Sequence, residues 1–339
     1  MGSMPASPPL RLPLALGLVL ALAVPVRASE RLLEVRDGFV NPTHVVAGQG
    51  GLLYVADTEG QAIRMIDGSG HLATLCQGPY SYKGGDLDDG EFHPGPIAID
   101  AHGDLVGLDH THTVFKVELH GTQHTPRVIA DMWRMSGPQA LQDPPLETHL
   151  RGLAPEPAGT LLATWGSDLI RIEPEQGFKV LVPGLVASTG NSKIPIARDK
   201  DGTVYLGLQE ESKVLAVTPE GHVSTLAGHP SPLDDGSNVG LADGPGASAG
   251  FFFPNDLVLA PDHSLLLTEP GGGRLRRIDL NDPRHTVTTL MGQREFLELE
   301  NQPGVDHPAG LTVDPTGRIF ITDEVNRRVK EVGHLPVSR

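Results

Sequence analysis

Short apolar strands separated by turn residues recur along this chain in one repeated phrase. Its clearest copy runs Pro42-Thr43-His44-Val45-Val46-Ala47, then Gly50-Gly51, then Leu52-Leu53-Tyr54-Val55-Ala56-Asp57, then Ile63-Arg64-Met65-Ile66. Apolar and polar residues alternate within each piece, and Gly, Pro or Asp stands between pieces, a pattern that predicts antiparallel strands rather than helices. Further copies open near Pro94, Leu150, Lys193, Pro254 and Pro308. The mean spacing is about 52 residues, close to the roughly 40–50 of a four-stranded propeller blade. A fourth strand ends five of the copies, as in Leu72-Ala73-Thr74-Leu75 and Val223-Ser224-Thr225-Leu226-Ala227. The sixth copy stops near Val332 without one, while an orphan strand, Leu32-Leu33-Glu34-Val35, precedes the first. The expected fold is an all-β, six-bladed β-propeller of four-stranded antiparallel blades. Its last blade is closed by the N-terminal strand, which removes an exposed sheet edge.

Composition sharpens this picture. With 41 Gly and 30 Pro among 339 residues, few long helices could survive. The chain is 39% hydrophobic and 20% charged, enough apolar surface for a packed core. Its 42 acidic and 26 basic side chains give a formal net charge of −16, which opposes a nucleic-acid footprint and repels anionic lipid surfaces. No nucleic-acid partner is expected.

The N-terminal stretch reads as an address. Arg11 supplies a positive flank, Leu12 to Val24 form an apolar run, and Val26-Arg27-Ala28 suggests cleavage before Ser29. The run is shorter than the roughly 20 residues needed to span a bilayer, so residues 1–28 are expected to be a signal peptide and no stable membrane anchor is expected. Residues 29–339 then form a single propeller domain. Cys76 is the only cysteine, so no internal disulfide can form, and Asn41-Pro42-Thr43 fails as a glycosylation acceptor because of its proline. Both features lean towards a bacterial periplasm or the extracellular medium.

These residues also carry a family resemblance. Leu226-Ala227-Gly228, Leu241-Ala242-Asp243-Gly244-Pro245-Gly246 and Phe252 to Pro254 resemble the linker and blade opening of NHL repeats. Tyr54-Val55-Ala56-Asp57 with Ile63-Arg64 looks like the second and third strands of such repeats. The resemblance covers most of the chain and implies a propeller; NHL propellers include scaffolds, RNA binders and enzymes, so it leaves function open.

In a propeller the first strand of every blade lines the central channel. Taking the two positions after each opening residue places Thr43 and His44, Gly95 and Pro96, Arg151 and Gly152, Ile194 and Pro195, Asn255 and Asp256, and Ala309 and Gly310 around one ring. Its polar members His44, Arg151, Asn255 and Asp256 are the candidate ligand-binding residues. Phe253-Pro254-Asn255-Asp256-Leu257-Val258 is similar to the Pro-Asn-Asp segment of gluconolactonase and paraoxonase-like calcium-dependent propeller hydrolases. That resemblance implies Asn255 and Asp256 as ligands to Ca²⁺, a hard cation suited to oxygen donors. Ile194 and Ala309 stand where that family would place an Asn and an Asp. Peptide-amidating lyases carry a zinc-binding His where this chain has Asn255, a poor zinc donor.

Other motifs fail on context. Gly246-Ala247-Ser248-Ala249-Gly250 has the letters of a nucleophile elbow but lies between blades rather than at a strand-to-helix turn. Asp86-Leu87-Asp88-Asp89-Gly90-Glu91 imitates a calcium loop, with its Gly one position early and Ile97 where the closing Glu belongs. His120 and His124 have the spacing of a helical pair but sit on a strand end and loop. Two functional expectations follow. One is an exported binding module for a protein, peptide, glycan or small-molecule ligand on a propeller face. The alternative is a calcium-dependent hydrolase, lactonase- or esterase-like, with His44 as base and Arg151 as a further catalytic residue at the channel mouth.

Overall fold

The structure, a computed structural model, describes residues 33–35, 37–78, 91–109, 112–136, 149–187, 192–229, 242–292, 305 and 307–336. Residues 1–28, expected to be a signal peptide, and the loop carrying Asp86, Asp88 and Gly90 lie outside the described residues, as do most of the long loops between the second and third, fourth and fifth, and fifth and sixth blades.

Within them the chain forms six four-stranded antiparallel sheets. The inner strands are Pro42–Ala47, Pro94–Ile99, Leu150–Pro155, Ile196–Arg198, Asp256–Leu259 and Pro308–Val313, which we number as blades one to six. Each inner strand neighbours the next around a ring, and that of blade six lies beside that of blade one. Blade six takes its outer strand from the N-terminus: Glu34–Val35 pairs antiparallel with Arg328–His334, Glu34 opposite Lys330 and Val35 opposite Val329. The two ends of the ring are thereby stitched together by hydrogen bonds, as the orphan strand predicts.

The core is divided among the blade junctions. Six apolar clusters each span two neighbouring blades. The one that closes the ring joins Val45, Leu53, Val55 and Ile66 of blade one to Phe320 and Val329 of blade six. Second strands such as Leu53–Asp57 and Val204–Leu208 are buried at every position, because a blade covers both of their faces with its neighbours. Outer strands such as Gly177–Val182 are part-exposed or exposed at every position.

The Asp and Arg of the repeated phrase are structural. Asp57 ends the second strand of blade one; its Oδ1 accepts the Val40 and Asn41 N–H groups at 2.9 and 2.7 Å, and its Oδ2 lies 3.2 Å from Arg64 Nε. Blade five repeats the clamp with Glu269, Arg276 and the Phe252 N–H, and in blade two Asp109 accepts the His93 N–H at 2.8 Å. In blade four a neutral residue does this: Gln209 Oε1 accepts the Lys193 N–H at 3.2 Å. Each clamp fixes the turn into an inner strand and so aims the residues that follow at the channel. One difference from the sequence expectation sits here. The fourth inner strand begins at Ile196 rather than near Lys193, because Pro195 has no N–H for the ladder and meets blade four only through its carbonyl, which accepts from Gly207 at 3.0 Å. Apart from the single turn Met132–Met135, α-helix is absent among the described residues.

Candidate functional site

The inner strands enclose a cavity of about 290 Å³ in the channel. His44, Arg151, Asn255 and Asp256, the polar members of the ring read from the repeat, all line it, together with Lys193 and an aliphatic wall that includes Leu153, Ile196 and Val258. Residues more than 200 positions apart in the chain therefore meet because each stands at the same point of its own blade.

Asn255 and Asp256 fasten blade five to blade six. Asn255 Nδ2 donates to the Ala309 carbonyl at 3.1 Å, beside Thr268 Oγ1, which donates to the same oxygen at 2.8 Å. Asp256 Oδ1 accepts the Leu257 N–H at 2.8 Å and Oδ2 accepts the Leu311 N–H at 2.7 Å. The channel walls desolvate this carboxyl and push its pKa up to about 6, against the opposing pull of those two N–H groups and of the Lys193 charge. Asp256 thus titrates much nearer neutrality than an ordinary carboxyl.

His44 is buried, and its Nδ1 has no hydrogen-bond partner. Burial, and then the Lys193 ammonium, hold its pKa well below the ordinary 6.5, so the imidazole is neutral at physiological pH. Crowding fixes its backbone: a Cβ on Gly310 would come 2.5 Å from His44 Cα, so only glycine lets the first and sixth inner strands approach this closely. Gly152 plays the same part between blades three and four, where a Cβ would clash with the Ile194 carbonyl. Arg151 is buried too, and its guanidinium donates to the Gly166 carbonyl. Desolvation lowers its pKa while Glu210 acts to raise it, and a guanidinium stays charged throughout the accessible range.

Sequence reasoning missed Lys193. It stands one position before the pair counted from the repeat, and the Ile194-Pro195 step that delays the fourth inner strand brings it to the cavity. That Pro195 was the available signal. Phe253, which opens the Pro254-Asn255-Asp256 segment, is not among the ring residues counted from the repeat. Its backbone is left-handed (φ 53°) and its ring is 44% exposed, edge-on to Phe252 at 4.9 Å; such a backbone costs on the order of 1–3 kcal/mol and tends to persist beside functional sites. Ser248 lies in the linker, where its hydroxyl donates to the Pro245 carbonyl at 3.1 Å. His120 and His124 contact the His102 and Glu118 carbonyls on exposed turns, far from the ring in sequence and role.

The residues present suit a calcium ion poorly. Both oxygens of Asp256 already accept main-chain N–H groups, Asn255 Oδ1 faces Gln209 Nε2 at 3.5 Å, and three cations, Arg151, Lys193 and Arg198, share the wall. A calcium site wants about six to eight oxygens and an excess of negative charge. Among the described residues no group of three or more His, Cys, Asp or Glu is placed to hold a metal.

No protein-family model matches the sequence, and no curated protein matches it. Solved structures do match the fold. An auxiliary nutrient binding protein from Bacteroides thetaiotaomicron is 14% identical with a TM-score of 0.63, over 88% of this chain and 70% of that one. Regucalcin from Agrobacterium tumefaciens, a calcium-binding protein, is 12% identical with a TM-score of 0.57, over 91% and 95%. A virginiamycin B lyase from Staphylococcus aureus is 12% identical with a TM-score of 0.55, over 90% and 99%. At such identities the likeness is one of architecture, and it agrees with the ring of blades described above: the chain is a six-bladed β-propeller related in fold to both binding proteins and enzymes.

Proposed function

We propose that the protein is an exported binding propeller that takes a small-molecule ligand in its channel, at His44, Arg151, Asp256 and the Asn255 that positions it. The observation that carries this reading is the buried His44 Nδ1, which lacks a partner on the wall of a cavity of about 290 Å³. An unpaired buried polar atom costs about 1–3 kcal/mol, and a ligand group bonded to it removes that cost. The volume is near the lower end of the roughly 300–1,000 Å³ of small-molecule pockets, which favours a small molecule over a protein, peptide or glycan in the channel itself. The nutrient binding protein of like fold supports binding as the activity. Export rests on residues 1–28 as a signal peptide cleaved before Ser29; no helix of the described residues is long and apolar enough to cross a membrane.

A fragment soak tests the reading. Bound fragments located by diffraction are expected in the channel against His44 and Asp256; a library that leaves the channel empty while decorating other surfaces overturns it. The calcium-dependent hydrolase is the second reading, favoured by the Pro254-Asn255-Asp256 segment and by the calcium-binding protein of like fold. Were calcium bound, melting temperature would rise with calcium and fall with chelator, and Asn255→Ala with Asp256→Ala would abolish that response. A melting curve indifferent to both additives removes the second reading and leaves the first.

A further inference from the structure

The charged lining of the cavity is unbalanced in a way that selects its ligand. Arg151, Lys193 and Arg198 face Asp256 alone, so the cavity is cationic inside a chain of formal net charge −16. The acids that partner these cations stand outside it: Glu324 Oε1 is 4.0 Å from Lys193 Nζ, and Glu156 Oε1 is 3.8 Å from Arg198 Nε. Neither lines the cavity, nor does Glu210, whose charge acts on Arg151. Lys193 is also central in reach. It starts blade four, yet its ammonium acts on His44 of blade one and Asp256 of blade five. Asp256 offers an incoming cation little, since both of its oxygens are engaged by N–H groups of the wall.

We infer that the ligand is a small organic anion, a carboxylate in chemical class, whose acid group is held between Lys193 and Arg151 and whose remainder lies on the wall formed by Leu153, Ile196 and Val258. This rests on the channel being the binding site, as argued above. A carboxylate desolvated here meets two cationic donors, the arrangement in which charge-assisted hydrogen bonds are strong. Neutral His44 adds a polar nitrogen without adding charge. An ammonium group or a divalent cation in the same place would be repelled by Arg151 and Lys193, and Asp256, the acid that lines the cavity, has both oxygens engaged by N–H groups.

Three isosteric probes, benzoate, benzamide and benzylamine, separate the possibilities when titrated calorimetrically into the purified protein. Benzoate is expected to bind at least about tenfold more tightly than benzamide, the size of one hydrogen bond to a charged group, and benzylamine not at all. Lys193→Met, at a part-exposed position, should erase the preference of benzoate over benzamide, and Lys193→Arg should retain it. If benzamide equals benzoate, or benzylamine binds more tightly than either, the anion assignment fails while a channel ligand stands. If Lys193→Met leaves the preference unchanged, the assignment to this cation fails. If none of the three binds, both the anion assignment and the channel reading fail.

Discussion

Asp256 and Leu311 belong to different blades and lie 55 residues apart in sequence, yet Asp256 Oδ2 accepts the Leu311 N–H at 2.7 Å. The same carboxylate caps Leu257 in its own strand. A segment that reads as a metal ligand pair is therefore, in the first instance, a fastener between blades five and six. Its raised pKa follows from the same placement, because the oxygens that hold the ring together do so inside the channel.

That coupling has a pH signature. The folded value of about 6 lies above the ordinary 3.8, so the titration of Asp256 favours the folded state below pH 3.8, and this contribution is lost as pH rises to about 6. Wild type and Asp256→Asn melted across pH 3.5 to 7 (roughly the window in which the group titrates) should differ by a term with this slope. Parallel curves would show that Asp256 titrates normally.

Asp256→Ala leaves the buried Leu311 N–H without its acceptor and should cost about 1–3 kcal/mol in denaturant unfolding. Unfolding of the variant with unchanged free energy would mean that another acceptor replaces the carboxylate.

On the opposite end of the channel from the ring, His263 fastens blade four to blade five. Its Nε2 lies 2.7 Å from Asp199 Oδ2 and its Nδ1 3.1 Å from Asn281 Oδ1. Asn281 Nδ2 donates to the Asp262 and His263 carbonyls, which aims its oxygen at the ring. Both ring nitrogens thus face acceptors, and the Asn281 and Asp199 hydrogen bonds raise the pKa above 6.5, with Lys200 opposing. The stability this supplies is full below pH 6.5 and lost as pH rises through the folded value. His263→Gln should flatten the melting temperature across that window; an unaltered pH profile would show that the imidazolium contributes nothing.

Arg276 and Glu269 form a fully buried pair at 3.1 Å, with Arg276 also donating to the Gly250 and Ala242 carbonyls and lying over the Phe251 ring. Arg276→Met strands Glu269, whose pKa burial already raises, and should cost about 3–5 kcal/mol. Arg276→Met with Glu269→Gln should recover part of that loss. A double variant no better than the single would place the energy in packing and not in charge.

Cys76 is buried on the fourth strand of blade one, and burial pushes its thiol up to about 12. It should resist alkylation at pH 8, roughly half a unit below an ordinary thiol's pKa, until the propeller unfolds. Rapid labelling of the native protein would show blade one opening locally.

The repeat was legible in the sequence because each blade needs the same punctuation, apolar runs of strand length with turn residues between them, to which blades one, two and five add an Asp or Glu that turns the chain into the channel. Six copies and one orphan strand determined the ring and its closure by Val35 opposite Val329. The position of His44, Arg151, Asn255 and Asp256 within their copies determined that they would share one cavity. What the tertiary structure alone decided is the state of those groups. Whether Asp256 is free to bind a ligand depends on Leu311, and whether His44 is charged depends first on its burial and then on the Lys193 ammonium. Those partners are set by which blades the closed ring makes neighbours and by the delayed start of the fourth inner strand at Ile196. Burial and field inside the channel are sums over all six blades, and no single stretch of sequence carries them.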